Sequence, residues 1–510
     1  MRIRRIDICA WIAAVLLAVP SAAWSQTNYL HTSGGQIVDS QGRVVRLTGL
    51  NWFGFEGPTY CPLGLFARSM GSMLDQLKSL GYNSLRIPFC TQLFDPGSVP
   101  NGIDFTLNPD LKNLTGIQIL DKLVAAARQR GLKIVLDRHR MIPNVVTELW
   151  YTSLYTQARW ISDWQILALH YRGNDTVIGC DLHNEPNGVA TWGSGDLSTD
   201  WRLAAERAGN AILAMNPNLL IFVEGINFGA NLTQVGTNPA FQPYNPVLLT
   251  VANQLIYSPH DYPQSVAGNL PRYSDPTYPA NLPGVWDINW GYLEEAGIAP
   301  TWLGEWGTKD LTTSDQQWFR TLTSYLLAHG MSFAYWAWNP DATDTGGLLT
   351  DDYNTIYADK QQVLRPLLAP LIPSPSVATF SGYGVVNLQT PNEQDVILSG
   401  TQPITSLAIT IRIAKTSGVS SRGFYTNLQT PTGSGFATSP GPVFTSSVVD
   451  TGTTLVYTYT MVAGQVLPAT SLRAGAQYNS AGAHPITSDT FQVALVVGGQ
   501  AQSGNGTFQP

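Results

Sequence analysis

Between residues 27 and 370 the chain alternates short apolar runs with longer segments whose apolar positions recur at helical spacing. Runs at residues 44–49, 84–88, 133–137, 177–182, 219–224, 254–258, 300–304 and 332–336 read as strands. Segments such as 68–80, 116–130 and 201–215 read as the helices between them. Continuous apolar runs suit parallel strands covered on both faces, and such strands need right-handed crossovers. Eight strand–helix units predict an α/β fold, a (β/α)8 TIM barrel. The stretch 29–45 precedes the first unit and predicts a small hairpin capping the bottom of the barrel.

The pattern then changes. Pro370-Leu371-Ile372-Pro373-Ser374-Pro375-Ser376 reads as a short, stiff linker over 370–377. Beyond it the chain is rich in Thr, Ser, Gly and Val with period-two alternation, as in 407–414 and 453–461. Residues 378–510 therefore predict a smaller all-β sandwich after the barrel domain of 27–369. Every tryptophan lies at or before Trp338, so the second unit has none.

Composition narrows the class. Of 510 residues 44% are hydrophobic and only 12% charged, about half the usual charged share. Low charge with abundant Trp and Tyr suits an extracellular protein handling neutral, stackable ligands such as sugars. A net charge of -7 argues against nucleic acid and anionic membranes as partners. Met1-Arg2-Ile3-Arg4-Arg5, the apolar run 8–19 and Ala23-Trp24-Ser25 have the order of a cleaved signal over 1–25, which predicts secretion. The apolar run is shorter than the about 20 residues of a membrane span, and no other stretch reads as one. Cys9 leaves with the leader; Cys61, Cys90 and Cys180 remain, allowing one disulfide and one free thiol. Cys61 and Cys90, both in loops after early strands, are the more plausible pair, with Cys180 buried in a strand. No CxxC or His-rich cluster points to a metal. The oligomeric expectation is a monomer.

Two glutamates carry the candidate chemistry. Glu185 in Leu182-His183-Asn184-Glu185-Pro186 and Glu305 in Trp302-Leu303-Gly304-Glu305-Trp306-Gly307 each follow a buried-strand run. On a parallel barrel both emerge at the C-terminal face, where a facing pair of carboxylates can cleave a glycosidic bond. Glu185 is assigned the acid/base, protonated near neutral pH, and Glu305 the ionised nucleophile. Arg86 ends the second strand, where it either holds Glu305 charged or makes a structural ion pair at the mouth. His139 and His260 end the third and sixth strands at the same face. Tyr262 offers a phenol to the nucleophile, and Asn184 a hydrogen bond to the sugar 2-hydroxyl. Trp336 ends the eighth strand as a stacking platform, with Trp52 and Trp306 as further platforms or core residues.

In order and spacing, Arg86, His139, Asn184-Glu185-Pro186, His260-Asp261-Tyr262, Glu305 and Trp336 resemble glycoside hydrolase family five. Gly49-Leu50-Asn51-Trp52-Phe53-Gly54-Phe55-Glu56 and Asp200-Trp201-Arg202-Leu203-Ala204-Ala205-Glu206-Arg207 look like its bacterial endo-β-1,4-glucanases, the similarity covering residues 29–370. The resemblance implies a retaining enzyme of clan A with Glu185 as acid/base and Glu305 as nucleophile. It implies sugar contacts at Arg86, His139, Asn184, His260, Tyr262 and Trp336, and no cofactor. The implied substrate is a β-1,4-glucan; mannan, xyloglucan and mixed-linkage glucan keep the same mechanism, and an inactive wall-binding barrel is the reading from another class. One departure stands out. Where close relatives carry Pro-Asp-Cys after the third-strand histidine, bridged to the loop after the first strand, this chain reads Arg140-Met141-Ile142-Pro143-Asn144 and keeps only Cys61. The second unit looks like an accessory carbohydrate-binding module, with Tyr383, Tyr425, Tyr457, Tyr459 and Tyr478 available for sugar or for packing.

Overall fold

The computed structural model describes residues 29–236, 244–372, 379–385, 392–399, 403–416, 418–426, 443–467, 471–480, 484–497 and 500–508. The leader expected over 1–25 lies outside them, as does the linker beyond residue 372.

Eight parallel strands form the barrel: Thr48–Asn51, Ser84–Cys90, Lys133–Arg140, Val177–Asp181, Leu220–Val223, Leu255–Tyr257, Trp302–Leu303 and Ser332–Tyr335. Each lies within or beside its expected run. Neighbours pair in chain order, the eighth strand pairs with the first, and parallel bridges Tyr257–Thr301 and His260–Glu305 close the ring. The expected hairpin is present as His31–Ser33 and Gln36–Val38. Helices between the strands start on satisfied caps. Thr115 and Gln118 form a reciprocal capping box for Gly116–Gln129, Thr156 caps Gln157–His170, and Asp200 caps Trp201–Met215. Each such cap contributes about 1 kcal/mol.

Side-chain parity divides the barrel interior into two layers. Leu220, Phe222, Val135, Ile256, Trp302 and Ala334 pack with Leu30 and Ile37 of the hairpin into an apolar plug. Two residues further along the same strands the inward positions become polar: Asp137 follows Val135, and Glu224 follows Phe222. The barrel is thus sealed at the bottom by apolar burial and charged at the mouth.

The rest of the described chain forms two antiparallel sheets. Thr379–Val385, Asn392–Ser399, Ser471–Asn479 and Ser420–Thr426 make one, in that spatial order. Phe444–Asp450, Thr454–Met461, Ile404–Ala414, Thr490–Val497 and Gln500–Thr507 make the other. Alternate residues of both meet in one core that includes Ile409, Ile411, Val396, Leu398 and Phe491. That core also takes Tyr457, Tyr459 and Tyr478, which removes them as sugar platforms. Tyr425 is half-buried beneath the Arg473 guanidinium, and the Tyr383 side chain lies outside the description. The outer face of the four-stranded sheet rests on the barrel flank: Ser399 Oγ donates to the Gly173 carbonyl at 3.2 Å. Gly173 has φ +82°, and a Cβ there would stand 2.5 Å from Ile397. Both the backbone conformation and the close approach therefore require glycine.

The disulfide expectation is corrected. Cys61, Cys90 and Cys180 are all buried free thiols. Cys61 Sγ donates to the Asn101 carbonyl at 3.2 Å and Cys90 Sγ to that of Phe55 at 3.5 Å. Each has settled into its own backbone partner, and burial pushes both thiols up to about 12.

Candidate active site

At the mouth the fully buried Arg86 guanidinium organises everything around it. Its Nη1 donates to Glu305 Oε1 at 2.5 Å and Asn51 Oδ1 at 3.1 Å, and its Nε donates to Asp181 Oδ2 at 2.9 Å. Nη2 reaches Asn184 Oδ1 at 2.9 Å, with Glu224 Oε1 and Asp137 Oδ2 each at 3.1 Å. Burial by itself would lower Arg86, but Asp137, Asp181, Glu305 and Glu224 override it and hold it protonated. The carboxylates cannot all be charged around one cation. Burial raises Asp137 to about 7 and Asp181 to about 8, and Asp181 Oδ1 has no hydrogen-bond partner.

Glu305 accepts a second short hydrogen bond, from Tyr262 Oη at 2.7 Å. The tight turn into it depends on Gly304, since a Cβ there would meet Ser258 Oγ at 2.4 Å and His260 Nε2 at 3.0 Å. Glu185 faces it across the cleft, with a fifth of its side chain exposed. Glu185, His260 and Glu305 each bring an atom within 4.8 Å of the others. Burial raises Glu185 to about 7, against the opposing pull of Arg86. Its backbone is left-handed, φ +53°, which for a non-glycine costs about 1–3 kcal/mol. The Glu185 N–H donates to Glu224 Oε2 at 2.7 Å, and Asn187 Nδ2 donates to the Glu185 carbonyl at 2.9 Å. These two bonds hold the strained residue in place.

Both mouth histidines are neutral. Burial takes His260 down to about 3 and His139 well below its usual range. His139 Nδ1 lies 2.7 Å from Asp137 Oδ2, and its ring stacks on Trp336 with centroids 5.3 Å apart. Trp336 also runs parallel to Phe53 and keeps part of its surface open. Asp137, His139 and Glu305, and likewise Asp181, Glu224 and His260, stand close enough to share a metal ion. The Arg86 guanidinium already occupies the space among these carboxylates and supplies the positive charge an ion would bring.

Arg86, His139, Asn184, Glu185, His260, Tyr262, Glu305 and Trp336 thus gather around one cleft. Trp52 does not. It is completely buried, with its indole N–H on the Leu63 carbonyl at 3.0 Å, so it has no face for a sugar. Trp306 is equally buried, edge-on to Phe333 and Tyr335. Both sit on outward strand-end positions that belong to the barrel–helix core. Sequence reasoning missed Asn51, Asp137, Asp181 and Glu224. The available signal was parity: each is a polar residue in or just after a buried strand run, on the side that meets Arg86.

The chain is similar to proteins already known. The family model for cellulase (glycosyl hydrolase family 5) matches residues 38–342. An endoglucanase of Paenibacillus polymyxa is 48% identical over 367 residues, covering 69% of this chain and 90% of that one. The major extracellular endoglucanase of Xanthomonas campestris is 38% identical over 369 residues, covering 69% and 74%. Its solved catalytic domain aligns with a TM-score of 0.62, 38% identity, and coverage of 67% of this chain and 99% of that domain. An endocellulase from Pyrococcus horikoshii, solved as a cellotetraose complex, aligns at 0.61 with 36% identity, covering 68% and 100%.

Proposed function

The chain belongs to glycosyl hydrolase family 5 and is an endo-1,4-β-glucanase; from that premise we propose a secreted enzyme that cleaves internal β-1,4-glucosidic bonds with retention, using Glu185 as acid/base and Glu305 as nucleophile. The observation that carries the retaining mechanism is the spacing. One oxygen of each carboxylate lies within 4.8 Å of the other, which suits the about 5–5.5 Å spacing of a retaining pair.

In the first step Glu305 attacks the anomeric carbon while Glu185 protonates the departing glycosidic oxygen. The C–O bond to the leaving chain breaks and a glycosyl ester to Glu305 forms. In the second, Glu185 takes a proton from water, which attacks the same carbon and returns Glu305 as a carboxylate. Arg86 and Tyr262 aim the carboxylate of Glu305 for attack, each by a hydrogen bond to one of its oxygens. Asn184, held by Arg86, is placed for the 2-hydroxyl; His139 and Trp336 form the wall against which the sugar stacks.

Secretion rests on the leader pattern of residues 1–25, and no described helix is long and apolar enough to cross a membrane. The division into a hydrolase over 27–369 and an accessory unit over 378–510 belongs to the same reading. With Tyr457, Tyr459 and Tyr478 in the core and one sheet face against the barrel, the accessory unit acts as a docked support. The test follows viscosity and reducing ends together on carboxymethylcellulose, with glucomannan beside it. A steep viscosity drop with few new ends is expected; activity on glucomannan alone moves the substrate to mannan.

A further inference from the structure

Glu224 takes no part in the steps above, yet it touches the acid/base at both ends. Its Oε2 accepts the Glu185 N–H at 2.7 Å. Its Oε1 lies 3.3 Å from His260 Nε2, a buried nitrogen that makes no hydrogen bond of normal geometry, and the opposite ring nitrogen, Nδ1, lies 3.1 Å from Glu185 Oε1. A neutral imidazole carries a single N–H, so between two carboxyl oxygens it donates to one and must accept from the other. If Nε2 carried the hydrogen, Glu185 would have to point its acidic proton at His260, away from the glycosidic oxygen. If Nδ1 carries it, Glu185 Oε1 accepts in both halves of the cycle and Oε2 stays free to give and recover the catalytic proton. The second arrangement requires a donor opposite Nε2.

Resting on the assignment of Glu185 as acid/base, we propose that Glu224 is a neutral carboxylic acid whose O–H locks His260 in the Nδ1–H tautomer, and is thereby the positioning residue of the acid/base. The surroundings suit a neutral acid. Glu224 is completely buried at the end of the fifth strand and faces Arg86 from the second, Asp137 from the third and Asp181 from the fourth. Glu185 follows the fourth strand, His260 the sixth, and Glu305 the seventh beyond His260. Burial, Asp181, Asp137 and Glu185 all oppose a charge on Glu224; Arg86 alone favours one, and it is already paired with Glu305 at 2.5 Å. As a hydroxyl, Oε1 donates to Nε2 and still accepts from Arg86 Nη2. Oε2 keeps the amide of the strained Glu185. Every polar contact of Glu224 is then satisfied at once.

The test is the nitrogen NMR spectrum of the full chain labelled with 15N-histidine, in which the His260 signals are identified by their loss in His260→Asn. The expected spectrum has a pyrrole-type Nδ1 and a pyridine-type Nε2 at neutral pH; the reverse pattern overturns the proposal, and the wild type alone decides it. Glu224→Met keeps the shape and removes the donor. It is expected to shift His260 toward Nε2–H and to slow hydrolysis of soluble cellulosic substrates roughly 10–100-fold. A β-cellobioside with a good leaving group, which needs little acid help, is expected to be much less affected, with KM unchanged. Equal loss on both substrates would mark a merely structural residue and contradict the proposal. The underlying assignment is tested separately. Azide should rescue Glu185→Ala on the activated substrate, and failure of that rescue removes the acid/base reading while leaving the tautomer result standing.

Discussion

Arg86 and Arg473 each sit among carboxylates, and only the first of the two settings carries a facing pair of glutamates. Arg86, fully buried, faces Asp137, Asp181, Glu224 and Glu305 at the open end of the barrel. Arg473, on the outer face of the four-stranded sheet, bonds Asp395 through Nε at 2.7 Å and Glu393 through Nη2 at 3.2 Å, and covers the Tyr425 ring. Both clusters raise a carboxyl: Asp181 to about 8 in the first and Glu393 to about 8 in the second, in each case mainly by burial. A perturbed carboxyl beside an arginine is therefore not by itself a sign of catalysis. The barrel cluster adds two histidines kept neutral, a left-handed Glu185 and two glutamates opposed across a cleft. The sheet cluster has none of these, and the face that carries it lies against the barrel through Ile397 and Ser399. Stored strain and the facing pair of glutamates separate the two, where charge and side-chain exposure do not.

The comparison breaks most sharply under substitution. Glu305→Gln leaves the size of the site unchanged and is expected to lower kcat on soluble β-glucan by about 10^4-fold or more. Glu185→Gln should lie within the 10^2–10^4-fold range of a lost general acid. If either variant kept full turnover, the mouth would be no more catalytic than the sheet cluster. Arg86→Met leaves several carboxyls without their cation and should remove about 3–5 kcal/mol of stability together with activity, read by denaturant melts beside kinetics. A stable, active Arg86→Met would mean that the guanidinium organises nothing.

The pH profile sharpens the contrast without mutation. Glu185, raised to about 7, must be protonated to act as an acid, and its protonated fraction falls as pH rises through that value. The alkaline limb of kcat/KM should therefore turn near 7 and fall about tenfold per pH unit beyond it. A limb turning near 4.5, the ordinary glutamate range, would show that burial does not tune this residue. The smallest effect belongs to the sheet. Arg473→Met should cost about 1–3 kcal/mol of stability through unpaired Asp395 and Glu393, and leave kcat and KM on soluble substrate unchanged. Loss of activity at ordinary temperature would mean that the accessory unit reaches the active site.

Much of this arrangement was legible in the sequence because it rests on strand ends. Apolar runs located all eight strands, and Glu185 and Glu305 stood out by following two of them. What remained hidden depends on which way a residue points. Asp181 and Glu224 fall within apolar strand runs and carry no role until the inward parity of their strands is known. Of the two strands, only that of Asp181 pairs across a register slip, between Ile134 and Val135, while Glu224 follows the inward Phe222 by two residues without interruption. Trp52 has the composition of a platform and the direction of a core residue. Cys61 and Cys90 looked like a pair because both read as loop residues after early strands, but each thiol bonds a different carbonyl. Tyr457, Tyr459 and Tyr478 of the sandwich turn into its core, where Tyr457 Oη bonds the Gln477 carbonyl at 2.7 Å. Sequence period reveals that a strand alternates, and only the fold reveals which alternate faces the ligand.

The central claim is that Glu305 bonds covalently to the sugar while Glu185 manages the proton. The most direct measurement is mass spectrometry of the digested protein after reaction with a fluorosugar cellobioside that forms the intermediate quickly and releases it slowly. The account predicts one added glycosyl group on the peptide containing Glu305. A label on another carboxylate, or steady turnover to the inverted anomer with no label, would contradict it.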